Sequence, residues 1–537
     1  MTINHSLPLS RRIDTRCWQR ADVPTASSLP NVRFATRPTV VRLTRIGGSP
    51  RWLGVTGSVM LAAGGTTSGA LPYQQSALRD LAGLGMALAY AGLTLLVVAW
   101  WRLGASGPAA RSLQITLGLW AAPLLICPPL FSRDVYSYLA QGTMFAEGLD
   151  VYLYGPSSLG GPLAAEVPEI WQHTPAPYGP LFLAVAALVT SVTGTHVIAG
   201  VLGLRLVAVA GVALMAVALP VLARRLGVSP GSALWLGVLN PLVLTHLVAG
   251  AHNDALMLGL LTAGLALVVS RRLGPAAPAL GVALVTMAAL VKAPAALALP
   301  FCALLWALQV RRARNRETDR WPLLTFLWTA PLTLLTAAAV AIVVHALAGT
   351  GYGWVGALDT PAVVHNWMSI STDAGVATEF LMETIGTGLA HHAVPFWRGV
   401  GVAAAVGCGL LVWVRARVIG PVYALGLGLL ALVLLGPIVH PWYLLWGVVL
   451  VAAGAPRESD SPIRGWVAMG SAALSVLVLP TGSPVSLAQV LQAVLGGVLT
   501  LAITAAVVLW WLPRRGPAEE RIERAFQDRA IPAESAA

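Results

Sequence analysis

From Trp52 to Leu512 the chain alternates long apolar runs with short polar breaks. A helix needs about 20 mostly apolar residues to cross a bilayer. By that measure the pattern predicts fourteen spans, at 52–71, 82–101, 112–131, 201–223, 232–249, 254–270, 276–291, 294–310, 322–348, 397–414, 418–437, 441–454, 465–480 and 487–512. A further apolar stretch, 180–193, is ambiguous by length. The fold class expected is therefore all-α, a polytopic transmembrane helical protein, with two long non-spanning segments at 132–200 and 349–396. Residues 1–51 and 513–537 read as tails. The first carries nine arginines and no apolar core of the kind a cleavable signal peptide has.

Composition agrees: 57% of the 537 residues are hydrophobic and 10% charged, against about 45–50% and about 25% in soluble domains. A soluble globular enzyme is excluded, as are disordered, collagenous and coiled-coil chains. The net charge of +12 rests on 34 basic residues, of which only Lys292 is a lysine. In a membrane protein that charge has to be sorted by side. If 180–193 does not cross fully, Arg224-Arg225, Arg271-Arg272, the 311–320 cluster and Arg514-Arg515 all fall on one side with both tails. By the positive-inside rule that side is the cytoplasm. The opposite face then holds Arg79, Arg133, Lys292 and Arg398 against eleven acidic residues, Asp134 and Asp254 among them. The basic balance is thus a topology signal, and no nucleic-acid partner is expected. Cys17, Cys127, Cys302 and Cys408 form no disulfide framework or metal spacing. No P-loop, HExxH or GxSxG motif is present.

The chemistry-bearing residues gather on the outer face. Ser132-Arg133-Asp134 opens a segment whose Val135, Tyr138 and Leu139 would share one helical face, as in an interfacial helix. Ser132 or Asp134 could simply cap that helix and Arg133 touch headgroups; the sharper reading makes Asp134 a partly desolvated general base. At the turn between two spans stand His252, Asn253 and Asp254, of which capping would need only one. Lys292, beside Pro294, is either a snorkelling lysine at a helix break or a point charge for a phosphate. His173 with Thr174–Phe182, His365–Ser369, and His440–Trp446 are rich in aromatic residues, which form interfacial belts and also stack on sugars. Arg205 and His345 stand mid-span with no partner visible in sequence. Acidic pairs could hold a divalent cation, but no ligand spacing selects one, so no cofactor or metal is expected.

Five stretches together resemble a known family: 131–141 (FSRDVYSYLAQ), 174–183 (TPAPYGPLFL), 240–259 (NPLVLTHLVAGAHNDALMLG), Asn366–Ser369, and Pro441–Trp446. In this order the chain resembles the polyprenyl-phosphate-mannose-dependent α-(1→6)-mannosyltransferases of actinobacteria, integral membrane enzymes of the GT-C glycosyltransferase class. The resemblance implies a GT-C-like catalytic domain over 52–512, a plasma-membrane location, an extracytoplasmic active site and cytoplasmic termini. It implies an inverting transfer of mannose from polyprenyl-phosphate-mannose, among membrane lipids, to a phosphatidylinositol mannoside or α-(1→6)-mannan acceptor, in lipomannan and lipoarabinomannan assembly. Asp134 and Asp254 would be catalytic and Arg133 and Lys292 would hold the donor phosphate. Tyr136, Tyr138, Gln141, His173, Tyr178, His252, Asn253, Asn366, Trp367, His440, Trp442 and Tyr443 would contact substrate. The alternative from another class is a lipid or sugar transporter or flippase of the envelope, which would place charged groups near mid-span and show inverted repeats.

Overall fold

The computed structural model describes residues 49–73, 79–270, 274–313, 323–358, 368–455 and 462–482. Among these the protein is all-helical, with no strand. The expected span 487–512, the tail residues 1–48 and 513–537, and Asp359, His365, Asn366 and Trp367 lie outside the described residues.

Five described helices are long and apolar enough to cross a membrane: Ala82–Ser106, Val197–Arg225, Ala293–Arg312, Leu324–Ala348 and Ala390–Ile419. Val243–Ala249 and Asp254–Val268 are apolar enough together but meet at 111°, the geometry of a broken span or a re-entrant loop. Shorter apolar helices at Pro180–Thr193, Ala276–Ala289, Pro421–Leu435 and Pro441–Gly454 pack among them. The protein is membrane-embedded, and several expected spans are broken rather than continuous. The reason is local: Pro123 opens a 3-10 turn at Ala122–Leu125 and Pro128-Pro129 follows it, while Asn240-Pro241 separates Pro230–Gly237 from the π-helical Val243–Ala249. Proline removes a helical donor and clashes with the preceding turn.

Two close helix approaches fix the element that carries Asp254. Gly259 lies against the backbone of Gly211, and Gly264 against Gly281; a Cβ at any of the four would collide with the facing helix. Small residues at such crossings let helices pack backbone to backbone where lipid supplies no hydrophobic drive. Asp254–Val268 is thereby wedged between Val197–Arg225 and Ala276–Ala289.

The segment after Ser132 departs from the expected interfacial helix. The helix Asp134–Ala146 buries Val135 through Gly142 on all its faces, because Gly142 admits the backbone of Ala186 from Pro180–Thr193. The apolar stretch 180–193 is thus the partner of the Asp134 helix.

Candidate active site

A cavity of about 460 Å3 opens beside these helix ends, and Asp134, Ser137, Gln141, Tyr178, Lys292 and His440 all reach its wall. Asp134 is the first residue of its helix. Its backbone N–H donates to the Ser132 hydroxyl at 3.1 Å, so Ser132 secures the turn and leaves the carboxylate free to face the cavity, a quarter exposed. Ser137 and Gln141 follow at i+3 and i+7, on the same helical face. Ser137 Oγ and Gln141 Oε1 are buried without any hydrogen-bond partner among the described residues.

Lys292 reaches the cavity because the chain breaks there. Ala276–Ala289 ends, Lys292 adopts an extended conformation, and Pro294 starts a new turn. The turn Pro177-Tyr178-Gly179-Pro180 anchors that break: Gly179 N–H donates to Val291 O at 3.3 Å and Leu181 N–H to Leu290 O at 3.2 Å. Gly179 sits so close that a Cβ would overlap the Leu290 carbonyl. The ammonium then lies 2.8 Å from Asp254 Oδ2 and 4.6, 5.6 and 6.0 Å from the ring centres of Tyr443, Trp446 and Tyr178.

Asp254 is fully buried and both its oxygens are engaged, Oδ2 by Lys292 and Oδ1 by the Trp446 indole N–H at 2.6 Å. Its side chain caps no helix, and neither does that of Asn253, whose amide has no partner on either atom among the described residues. Asp254 therefore holds Lys292 in place and is not itself among the cavity-lining groups. His252 turns Nδ1 toward both Asp134 Oδ2, 3.6 Å away, and the Tyr138 hydroxyl, at 3.3 Å. Its ring stacks on Trp442, which also stacks on His440, at 4.1 and 4.5 Å.

The electrostatics follow from this packing. Burial pushes the Asp134 carboxyl up to about 6, opposed by the nearby Lys292 and the Ser132 hydrogen bond and aided by Asp254. Burial, with His246, Lys292 and His440 around it, drives His252 well below its usual range and keeps the imidazole neutral. One wall thus presents a carboxyl poised to exchange a proton and the other a fixed cation.

The remaining expected contacts divide. Tyr178, His440 and Tyr443 line the cavity; Tyr138, His252, Asn253 and Trp442 lie behind its wall. Arg133 and Tyr136 point elsewhere. The Arg133 guanidinium donates to Leu71 O and to the backbone and carboxylate of Glu166, at 2.7, 3.1 and 3.2 Å. It also covers the rings of Tyr73 and Tyr136. His173 is exposed and meets Ser157. Ser137 and Trp446 lie inside the singled-out stretches 131–141 and 441–446, but neither has a site role of its own in the sequence reading: a serine inside a helix and a tryptophan near a span end carry no distinguishing signal. Ser369 and Thr372 tie the outer helix Ile370–Thr384 to the carbonyls of Gly436 and Pro437 in the cavity wall, at 2.9 and 2.7 Å. Among the described residues no group of three His, Cys, Asp or Glu side chains is placed to hold a metal ion.

Comparison with known proteins adds the family. Residues 51–308 match the model of the alpha-(1->6)-mannopyranosyltransferase N-terminal domain and residues 371–516 that of the MptB C-terminal domain. Over 82% of its length the chain is 37% identical to alpha-(1->6)-mannopyranosyltransferase A of Mycobacterium tuberculosis, covering 90% of that protein. Over 87% it is 34% identical to alpha-(1->6)-mannopyranosyltransferase B of Corynebacterium glutamicum, covering 82% of it. No solved structure matches. The two matched regions hold the Asp134 helix, Lys292 and Trp446, and the chain belongs to the alpha-(1->6)-mannopyranosyltransferase family of actinobacterial membrane glycosyltransferases.

Proposed function

We propose that this cavity transfers mannose by inversion from a polyprenyl-phosphate-mannose donor to the 6-hydroxyl of an α-(1→6)-mannan or phosphatidylinositol mannoside acceptor. The observation that carries the reading is the pairing, in one cavity, of a carboxyl raised to about 6 with the chain's single lysine. Asp134 accepts the proton of the acceptor hydroxyl as its oxygen bonds to the anomeric carbon. The bond from that carbon to the phosphate oxygen breaks, the electron pair stays on the phosphate, and polyprenyl phosphate departs. A positioned base contributes about 10²–10⁴-fold. Lys292, oriented by Asp254 and Trp446, meets the negative charge that grows on the leaving phosphate. Ser137 and Gln141 offer their unpaired oxygens to sugar hydroxyls, which suits buried polar atoms that otherwise cost about 1–3 kcal/mol each.

A lipid-linked donor is supported by what adjoins the cavity. Leu297 and Leu432 line both it and a groove of about 400 Å3 whose walls, Phe301, Leu410 and Trp413 among them, are entirely apolar. In this reading the protein has a GT-C-like architecture of about fourteen spans in the plasma membrane. The cavity faces outward, both termini are cytoplasmic, and the product enters lipomannan and lipoarabinomannan assembly. With no cofactor required, the test is direct. Membranes carrying Asp134→Asn or Lys292→Met are given radiolabelled polyprenyl-phosphate-mannose and a short α-(1→6)-mannoside. Transfer is expected to fall about 10²-fold or more in each; wild-type rates in both would sink the assignment.

A further inference from the structure

Arg205 stands in the third turn of the helix Val197–Arg225 and is 1% exposed. A cation at that depth is costly unless something compensates it, and among the described residues no carboxylate forms an ion pair with it. Its guanidinium donates instead to three backbone carbonyls: Nη1 to Leu125 at 2.9 Å and Cys127 at 2.6 Å, Nη2 to Ala249 at 2.9 Å. Leu125 ends the turn Ala122–Leu125, and Ala249 ends the π-helical Val243–Ala249. Carbonyls at helical ends lack intrahelical partners and carry the negative end of the helix dipole. One planar guanidinium therefore closes two helical ends that lie more than a hundred residues apart in sequence.

Beyond each of these ends the chain reverses through a non-glycine residue in the left-handed region, Phe131 at φ 63° and Ala251 at φ 55°. Among the described residues these are the only non-glycine positions with positive φ. Such a conformation costs about 1–2 kcal/mol and persists where the surroundings fix it. Asp134 follows the first reversal by three residues and Asp254 follows the second by three. The two turns lie close together: a Cβ built at Gly250 would come within 3.1 Å of the Leu130 carbonyl, and the Phe131 ring lies 5.6 Å from that of His246 in the π-helix.

We infer that Arg205 is a positioning residue for the catalytic centre: by clamping both reversals at one point it sets the placement of Asp134 relative to the Asp254–Lys292 pair. The inference rests on the reading of Asp134 as the general base, and it is independent of which sugar is transferred. A lysine retains the charge and three donors, but on a single nitrogen, so it lacks the planar spread over two nitrogens by which the guanidinium reaches all three carbonyls.

The test uses full-length protein reconstituted in nanodiscs, with kcat expressed per monodisperse folded protein. Arg205→Met is expected to lower kcat about 10²-fold, the scale of a 1 Å misplacement, with donor and acceptor KM within about threefold of wild type. Arg205→Lys should recover part of that loss. If Arg205→Met does not fold, Arg205→Lys alone decides, with an expected loss of about tenfold in kcat at unchanged KM. A wild-type kcat in Arg205→Lys, or a loss confined to KM or to folded yield, would overturn the inference. Asp134→Asn is assayed alongside. Full activity there overturns the reading of the base, whereas an inactive Asp134→Asn beside a fully active Arg205→Lys overturns only the clamp.

Discussion

Asp134 and Lys292 are legible in the sequence because each breaks a local pattern, a carboxylate opening a helix and a lone lysine within an apolar run. Their partners are not legible. Arg133 and Lys292 read alike as outer-face cations, yet Glu166 takes the first and Asp254 the second, and nothing in residue spacing chooses between those pairings. The reading of Asp134 as base makes a prediction about pH. Its carboxyl faces Lys292 and the Ser132 donor relation, which favour the charged form, and Asp254 and the surrounding burial, which oppose it; burial dominates and lifts it to about 6. His252 stays neutral beside it. The base works only when deprotonated, so activity should be full above about 7 and fall as pH drops through about 6, where an ordinary aspartate would hold its charge to about 4. A pH profile of kcat/KM for mannosyl transfer checks this, and an acid limb near 4 would remove Asp134 from the role.

At the scale of elements, apolar runs gave the helices, but the chain breaks between them place the chemistry. The stretch 174–183 is recognisable as a motif, while its job appears only in three dimensions: Gly179 and Leu181 grip the carbonyls of Leu290 and Val291, immediately before Lys292. Such a contact joins residues over a hundred positions apart, so periodicity carries no trace of it. Gly179→Ala would drive a methyl group into the Leu290 backbone, which cannot yield without moving Lys292. The expected result is about 1–3 kcal/mol of lost stability and a fall in transfer of about tenfold or more. Gly118→Ala, where an added Cβ meets nothing within 4 Å, is the control and should be neutral or stabilising by up to about 1 kcal/mol. Thermal unfolding in detergent, read beside the transfer assay, separates the two outcomes.

For the whole molecule, hydropathy identified a helical membrane protein but not which apolar segments are broken or bent, since those have the same composition as straight ones. The arginine pattern is the more discriminating signal. Arg224 and Arg225 end Val197–Arg225, and Arg311 and Arg312 stand in the last turn of Ala298–Ala313. Asp134 and Asp254 begin their helices. Basic helix ends and acidic helix starts both satisfy the helix dipoles, and the positive-inside rule predicts a cytoplasmic location for the arginine ends. The proposed function requires that orientation, with the cavity facing outward, and it can be tested without any activity measurement. Cys17, Cys127, Cys302 and Cys408 are replaced by alanine, and a single cysteine is introduced either at Ser158, exposed in the 132–200 segment, or at Ala276, exposed just past Arg271-Arg272. With a membrane-impermeant maleimide, Ser158→Cys should label in intact cells and Ala276→Cys only after permeabilisation. The opposite pattern would turn the cavity inward and force a cytoplasmic mannosyl donor.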